Sequence, residues 1–167
     1  MSPSIFLALA MSCAPEVHAD TARALVQVES RFNPWAIGVV GGELLRQPRS
    51  KNEALATARA LQTQGWDFSV GLGQINTRNF ARLGLTLESA FEPCPNLSAM
   101  QAVLTDCFDR SRVTVPDAGQ VSLRRAMSCY YSGNFTTGFR HGYVLKVVNA
   151  ARITKHPLST NATKEKT

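Results

Sequence analysis

Several features that would assign this chain of 167 residues to a well-known class are missing from it. There is no run of 18 or more apolar residues, so the sequence predicts no membrane-spanning helix. Heptad and collagen-like repeats are also missing, and charged residues make up only 18% of the chain, too few for a disordered polymer. Hydrophobic residues make up 44%, which is enough for one core, and the length predicts a single domain.

The motifs that bind common cofactors are missing as well. Gly38–Gly42 and Gly71–Gly73 fit neither the dinucleotide fingerprint GxGxxG nor a phosphate loop ending in Gly-Lys-Ser/Thr. His18, His141 and His156 do not have the spacing of metal ligands. We therefore expect neither a cofactor nor a metal ion.

The chain carries a formal charge of +6, which favours a polyanionic partner such as nucleic acid, an anionic membrane or an acidic cell-wall polymer. Its basic residues are dispersed along the sequence. Only Arg46, Arg49 and Lys51 lie close together, and no aromatic residues that could stack on bases are interleaved with them. We therefore expect no nucleic-acid partner.

The four cysteines, Cys13, Cys94, Cys107 and Cys129, form no CxxC pair, and their even number predicts two disulfides in an oxidising compartment. Export would require a signal. The segment Ile5–Met11 resembles a short signal core, but no Lys or Arg precedes it. We favour its interpretation as the first apolar segment of the folded domain. Export would then use a segment outside this chain or an atypical leader.

Periodicity and capping signals predict an α+β, mostly α protein with five to seven short helices and little or no sheet. We expect the domain to cover 1–152 and a polar, flexible tail to cover 153–167. The helices are predicted over Ala14–Ser30, Glu53–Gln64, Ile75–Leu83, Leu97–Arg112, Gln120–Tyr130 and Tyr143–Arg152.

Glu29 is the residue most suggestive of chemistry, because helical spacing places it on the same face as Leu25 and Val26. A carboxylate on an apolar face must find a cation, point to solvent, or have a raised pKa. Two later segments rich in glycine and polar residues, Gly71–Gln74 and Tyr130–Asn134, are able to form a cleft around it. A buried acid in a cleft is one interpretation, and a solvated glutamate at a helix end is the other.

Five ordered segments together resemble the soluble lytic transglycosylases of the goose-type-lysozyme-like superfamily, in particular the VirB1-like members associated with type IV secretion systems. The resemblance extends over almost the whole chain, and its motifs are specific as an ordered set rather than singly. The segments are VQVESRFNPWAIGVVGG around Glu29, SVGLGQIN at Ser69–Asn76, FEPCPNLSA at Phe91–Ala99, AMSCYYSGNFTTG at Ala126–Gly138 and GYVLKV at Gly142–Val147.

The resemblance implies a lysozyme-like fold in which Glu29 is the single catalytic acid, Gln74 lines the cleft and Tyr130 contacts the glutamate. The family often has Asn directly after this tyrosine, whereas this chain has Tyr131, so we expect altered cleft detail with retained chemistry. Other residues of the matched motifs are further candidates for substrate binding: Ser30, Ser69, Gly73, Asn76 and Asn134.

For function, the resemblance implies cleavage of peptidoglycan strands in the periplasm, next to secretion components, by a monomer that forms 1,6-anhydromuramoyl ends. The residue types agree, because the segments around Glu29, at Ser69–Asn76 and at Ala126–Gly138 contain no carboxylate besides Glu29 and the neighbouring Glu43. Two alternatives remain: a hydrolase of the same fold, with Glu43 as its second carboxylate, and a cell-wall-binding module without catalysis.

We predict the disulfide pairing from helix topology together with the resemblance. Consecutive antiparallel helices would place Cys129 beside Cys94. In the family, Tyr130 must approach Glu29, which would leave Cys13 on the far side of the cleft with Cys107. The expected bridges are therefore Cys94–Cys129 and Cys13–Cys107.

Overall fold

The computed structural model describes residues 1–114 and 119–153; the predicted tail beyond Ile153, with His156, lies outside them. The mostly α fold with a small sheet is confirmed. Six helices of eleven or more residues match the expected five to seven, and the described residues add three helices of four. The helices are α1 (Pro3–Cys13), α2 (Ala19–Glu29), α3 (Lys51–Thr63), α4 (Phe80–Leu83), α5 (Leu87–Ala90), α6 (Pro93–Thr114), α7 (Gly119–Ser132), α8 (Thr137–Arg140) and α9 (Tyr143–Ile153).

A three-stranded antiparallel sheet interrupts the helices, in the order β1 (Ile37–Val39), β2 (Phe68–Val70) and β3 (Ile75–Asn76). Its register pairs Ile37 with Val70, and Val70 with Ile75. The predicted helix Ile75–Leu83 is therefore wrong over its first part. Asn76 ends β3 and its side chain accepts a hydrogen bond from the Arg78 amide at 2.9 Å, which starts a 3₁₀ turn over Thr77–Asn79 before α4.

The core has two parts, and the cleft described below lies where they meet. The larger part is built from α1, α2, α6, α7 and α9 around fully buried side chains such as Leu25, Met100 and Val147. The smaller part packs the inner face of the sheet against α3 and α5, with Phe68 and Val70 at its centre. Each half thus contributes one wall of the cleft.

The apolar segment at the start of the chain packs one face into the larger core, as the sequence predicts, and leaves Ile5 and Met11 exposed. Phe6 on α1 is fully buried, and its ring packs edge to face on Phe32 with centroids 5.1 Å apart. The Met1 amino group donates to the Phe32 carbonyl at 3.0 Å. Across residues 1–114 and 119–153, no helix has the length and apolar character that a membrane crossing requires.

The first predicted helix, Ala14–Ser30, is shorter in the structure. The chain turns after α1, and α2 starts at Ala19 because the His18 ring nitrogen caps it by accepting from the Asp20 amide at 3.2 Å. Similarly, α3 is capped by Ser50 rather than by Asn52. The His18 cap fixes where α2 begins, and Glu29 is the last residue of this helix.

The predicted disulfide pairing is wrong, although all four cysteines are paired. The bridges are Cys13–Cys94 and Cys107–Cys129, with Cα–Cα distances of 5.2 and 5.8 Å. The error lies in the helix lengths: α6 has 22 residues and α7 only 14, so α7 runs beside the later part of α6 alone. Cys129 therefore meets Cys107, while Cys94, at the start of α6, meets the end of α1.

Candidate active site

Glu29 lies in a cleft of about 310 Å³ between the helical half and the sheet. The apolar face of α2 brings it there, since Leu25 and Val26, one turn earlier, are fully buried. The helices contribute Glu29, Val103, Tyr130 and Tyr131 to the lining of the cleft. The sheet and its loops contribute Gly38, Val39, Val40, Ser69, Gln74, Ile75, Asn76 and Asn79.

The carboxyl group of Glu29 has an environment suited to holding a proton. Burial raises its pKa from 4.5 to about 7, because the ionised form loses hydration that the apolar surroundings do not replace. A hydrogen bond donated by the Tyr143 hydroxyl to Glu29 Oε1 acts in the opposite direction and lowers the pKa, since it stabilises the carboxylate. The balance leaves the group near its midpoint at neutral pH, which suits both giving and taking a proton.

Tyr143 is the functional side chain that sequence reasoning missed. It is buried at the start of α9, directly after Gly142, whose φ of +71° lets the chain turn sharply from α8 into α9. Its pKa is raised well above the ordinary range by burial and by the nearby Glu29, so the phenol remains a proton donor. The segment GYVLKV contributed to the resemblance, and its tyrosine could have been singled out as a candidate site residue on that basis.

Tyr130 lines the same cleft as Glu29. Its hydroxyl donates to the Gly73 carbonyl rather than to Glu29. A Cβ on Gly73 would lie 2.9 Å from the Tyr130 hydroxyl and 3.0 Å from Met100 Cβ, so only glycine fits beneath the ring. Tyr130 therefore joins the helical wall to the sheet wall, while Tyr143 holds the acid.

Gln74 occupies the cleft wall in a constrained conformation. Its φ is +49°, unusual for a residue with a side chain, and its amide nitrogen donates to the carbonyls of Ala36 and Gly71, each at 3.1 Å. A Cβ on Gly38 would approach Gln74 Oε1 to 2.6 Å. The amide thus ties the β2–β3 turn to the segment before β1.

Asn96, a fully buried residue that sequence reasoning did not single out, supports the same turn from below. Its Oδ1 accepts from the Gly73 amide at 2.7 Å, and its Nδ2 donates to the carbonyls of Val70 at 3.0 Å and Ala90 at 2.8 Å. A buried side-chain amide with three such partners fixes the backbone of the cleft wall. The residue lies within FEPCPNLSA, directly before the predicted helix Leu97–Arg112, and nothing in the sequence indicated that it is buried.

The structure brings together five of the eight predicted substrate-binding residues on the cleft lining: Ser69, Gln74, Asn76, Tyr130 and Tyr131. The other three are used elsewhere. The Ser30 hydroxyl is buried and donates to the Val26 carbonyl at 3.2 Å, Gly73 packs under Tyr130, and Asn134 Oδ1 accepts from the amides of Thr136 and Thr137 before α8. The wall residues from Gly38 to Val40 were not predicted.

No cluster of three or more His, Cys, Asp or Glu with metal-site geometry occurs within the described residues. Glu43, the second carboxylate considered for a hydrolase, is exposed and is not part of the cleft lining. Glu29 is thus the only carboxyl group among the described residues that line the cleft.

The amino-acid sequence of the chain matches a known protein family. Residues 6–146 match the family described as Transglycosylase SLT domain. The chain is 50% identical over 159 residues to the type IV secretion system protein virB1 of Brucella suis biovar 1 (strain 1330), covering 92% of this chain and 67% of that protein. It is 40% identical over 153 residues to the protein virB1 of Rhizobium radiobacter, covering 91% and 63%. The chain therefore spans about two thirds of the length of these relatives, and no solved structure matches it.

Proposed function

Because this chain belongs to the transglycosylase SLT domain family, we propose that it is a murein lytic transglycosylase. It cleaves the β-1,4 bond between N-acetylmuramic acid and N-acetylglucosamine and leaves a 1,6-anhydromuramoyl end. The observation that carries the proposal is Glu29: a partly buried carboxyl group in the cleft, with its pKa raised to about 7.

The first step requires a proton for the departing glycosidic oxygen. Protonated Glu29 donates it while the bond from the anomeric carbon to that oxygen breaks, and the N-acetyl group of the same sugar stabilises the positive centre. The carboxylate left on Glu29 then removes the proton of the 6-hydroxyl, whose oxygen bonds to the anomeric carbon. The proton that Glu29 gave is thereby restored, and no water is consumed.

The cleft favours this route over hydrolysis. Retaining and inverting hydrolases use a second carboxylate, about 5–9.5 Å from the first, as a nucleophile or as a base for water. Among the described cleft-lining residues, Glu29 has no such companion. Tyr143 and Tyr130 remain neutral because their pKa values are raised well above the ordinary range, so neither replaces the missing base at neutral pH.

The cellular role follows from the relatives' names, which describe a type IV secretion system protein virB1 and a protein virB1. We propose that the chain acts in the periplasm, as a monomer, and opens peptidoglycan locally for such a system. Two disulfides agree with an oxidising compartment, and the charge of +6 favours an anionic wall polymer.

Mass spectrometry of the muropeptides released from purified sacculi tests the proposal. The expected products carry anhydromuramoyl ends, and the matched Glu29→Gln variant releases almost none. Products with ordinary reducing ends would support the hydrolase instead. If wild type and Glu29→Gln bind sacculi equally and neither releases fragments, the chain is a binding module and the proposal is wrong.

A further inference from the structure

Tyr131 contacts both residues that flank the turn between α8 and α9. Its hydroxyl lies 3.2 Å from His141 Nδ1, and the two rings meet edge to face with centroids 5.9 Å apart. Its face stacks on the ring of Tyr143, with centroids 4.6 Å apart and an interplanar angle of 19°. One side chain of α7 therefore contacts the turn on either side of Gly142.

The turn held in this way carries the group that touches the acid. Tyr143 follows Gly142 directly, and its hydroxyl donates to Glu29 Oε1. Gly142 has a φ of +71°, a conformation that glycine adopts without holding it rigidly, so the orientation of the Tyr143 ring must be fixed from outside the turn. Tyr131 on α7 provides such a contact by stacking on the Tyr143 ring, and His141 contacts Tyr131 in turn.

We propose that Tyr131 is a positioning residue that, together with His141, holds the Tyr143 hydroxyl on Glu29. It acts through Tyr143 and not on the substrate. The proposal rests on the proposed function, because it assigns Tyr131 a part in the proton transfer by Glu29. It also gives a role to the residue at which this chain departs from the Asn of the family it resembles.

The exposure of Tyr131 is consistent with this role. Its side chain is 45% exposed, so the ring is not needed to fill the core, whereas Tyr143 beneath it is only 5% exposed. An offset stack of two aromatic rings has a preferred geometry, so Tyr131 limits the rotation of the Tyr143 ring. A displacement of about 1 Å at a reacting group can cost roughly a hundredfold in rate.

A direct contact between Tyr131 and a sugar ring is the competing role, since Tyr131 also lines the cleft. The two roles predict different kinetics. If Tyr131 binds the sugar equally in the ground state and the transition state, its removal raises KM and leaves kcat unchanged, whereas a misplaced Tyr143 lowers kcat. Only the positioning role predicts that the Tyr143 hydrogen bond to Glu29 weakens and that the pKa of Glu29 therefore rises.

The sign of that change follows from the groups around the carboxyl. Tyr143 on α9 and Tyr130 on α7 face Glu29, Tyr131 stacks on Tyr143, and His141 contacts Tyr131. Of these, Tyr143 donates the hydrogen bond that lowers the pKa of Glu29. If Tyr143 is released, the bond weakens and the pKa of Glu29 rises.

The test compares Tyr131→Ala, Tyr131→Phe and the control Phe139→Ala, which removes an aromatic ring that is 46% exposed and does not line the cleft. For Tyr131→Ala we expect kcat on peptidoglycan to fall about tenfold to a hundredfold, with little change in KM. Tyr131→Phe keeps the stack and should recover most of this rate. In a Tyr143→Phe background, Tyr131→Ala should add little, because both substitutions act through one hydroxyl.

A carboxyl-detected NMR titration, with the Glu29 signal assigned from Glu29→Gln, gives a readout that does not depend on activity. The Glu29 midpoint should move to higher pH in Tyr131→Ala and remain near the wild-type value in Phe139→Ala. A raised KM with unchanged kcat and an unmoved midpoint would overturn the proposal in favour of a sugar contact. If the wild type is inactive, the proposed function fails, while the shift in midpoint still decides the positioning role.

Discussion

The two walls of the cleft are built on different principles. The helical wall presents a carboxyl group and hydroxyl groups, namely Glu29 from α2 with tyrosine hydroxyls from α7 and α9 around it. The sheet wall is shaped by glycine and amides: Gly38 and Gly73 leave space, while Gln74 and Asn96 are tied to backbone carbonyls. Under the proposed function, proton transfer therefore takes place on the helical wall, whereas the sheet wall determines the shape of the cleft. Substitutions in the helical wall should lower kcat, and substitutions in the sheet wall should change stability or KM.

The largest expected effect is on the helical wall. Glu29→Gln preserves side-chain volume but cannot give or accept the transferred proton, so peptidoglycan lysis should fall about 10²–10⁴-fold. Turbidity loss of a sacculus suspension measures the rate, and circular dichroism checks the fold. If this variant lyses sacculi at the wild-type rate, Glu29 is not the acid, and the proposed difference between the two walls is wrong.

Asn96 on α6 supports the sheet wall, so Asn96→Ala should lower the stability of the fold more than the rate of catalysis. The substitution leaves the Gly73 amide and the carbonyls of Val70 and Ala90 without the Asn96 side chain as partner. Each buried polar group left unsatisfied lowers the free energy of unfolding by about 1–3 kcal/mol. Denaturant unfolding measures the loss. A matched control is Asn79→Ala, which removes an Asn at the rim of the cleft. Equal stability of the two variants would contradict the supporting role of Asn96.

The pH dependence of the lysis rate tests whether Glu29 on the helical wall is the acid. Because burial raises the pKa of Glu29 from 4.5 to about 7, the protonated acid is available below pH 7 and is lost above it. Initial rates should therefore fall about tenfold per pH unit on the alkaline side, as expected for a single titrating acid. A rate that still climbs at pH 9, in protein that remains folded, would exclude Glu29 as the acid.

The smallest effect is expected for a substitution of Gly38, to which only the Gln74 amide has to adjust. Gly38→Ala would place a Cβ 2.6 Å from Gln74 Oε1, so the amide must move and weaken its bonds to Ala36 and Gly71. We expect KM to rise by about threefold, with kcat nearly unchanged, because uniform binding is lost. Gly42→Ala, whose Cβ would only reach ordinary contact distances of 3.6 and 3.8 Å, provides the control.

Sequence information predicted the helical wall better than the sheet wall. The period of α2 placed Glu29 on an apolar face, and this holds because helix faces are a local property. The short strands around Ser69 and Asn76 could not be recognised, since two or three residues do not establish an alternating pattern. Tyr143 was not singled out for a different reason: it is 114 residues from Glu29, and no local rule states which distant tyrosine donates a hydrogen bond to the acid.

The pairing of the cysteines has a consequence for how the chain acquires its structure. The bridges Cys13–Cys94 and Cys107–Cys129 join neighbours along the sequence, so the two covalent rings follow one another and do not interleave. A chain delivered amino-terminus first can close the earlier ring before Cys107 arrives, and each later cysteine then meets only its proper partner. An oxidant that joins cysteines in order of appearance would therefore produce the native molecule without a shuffling step.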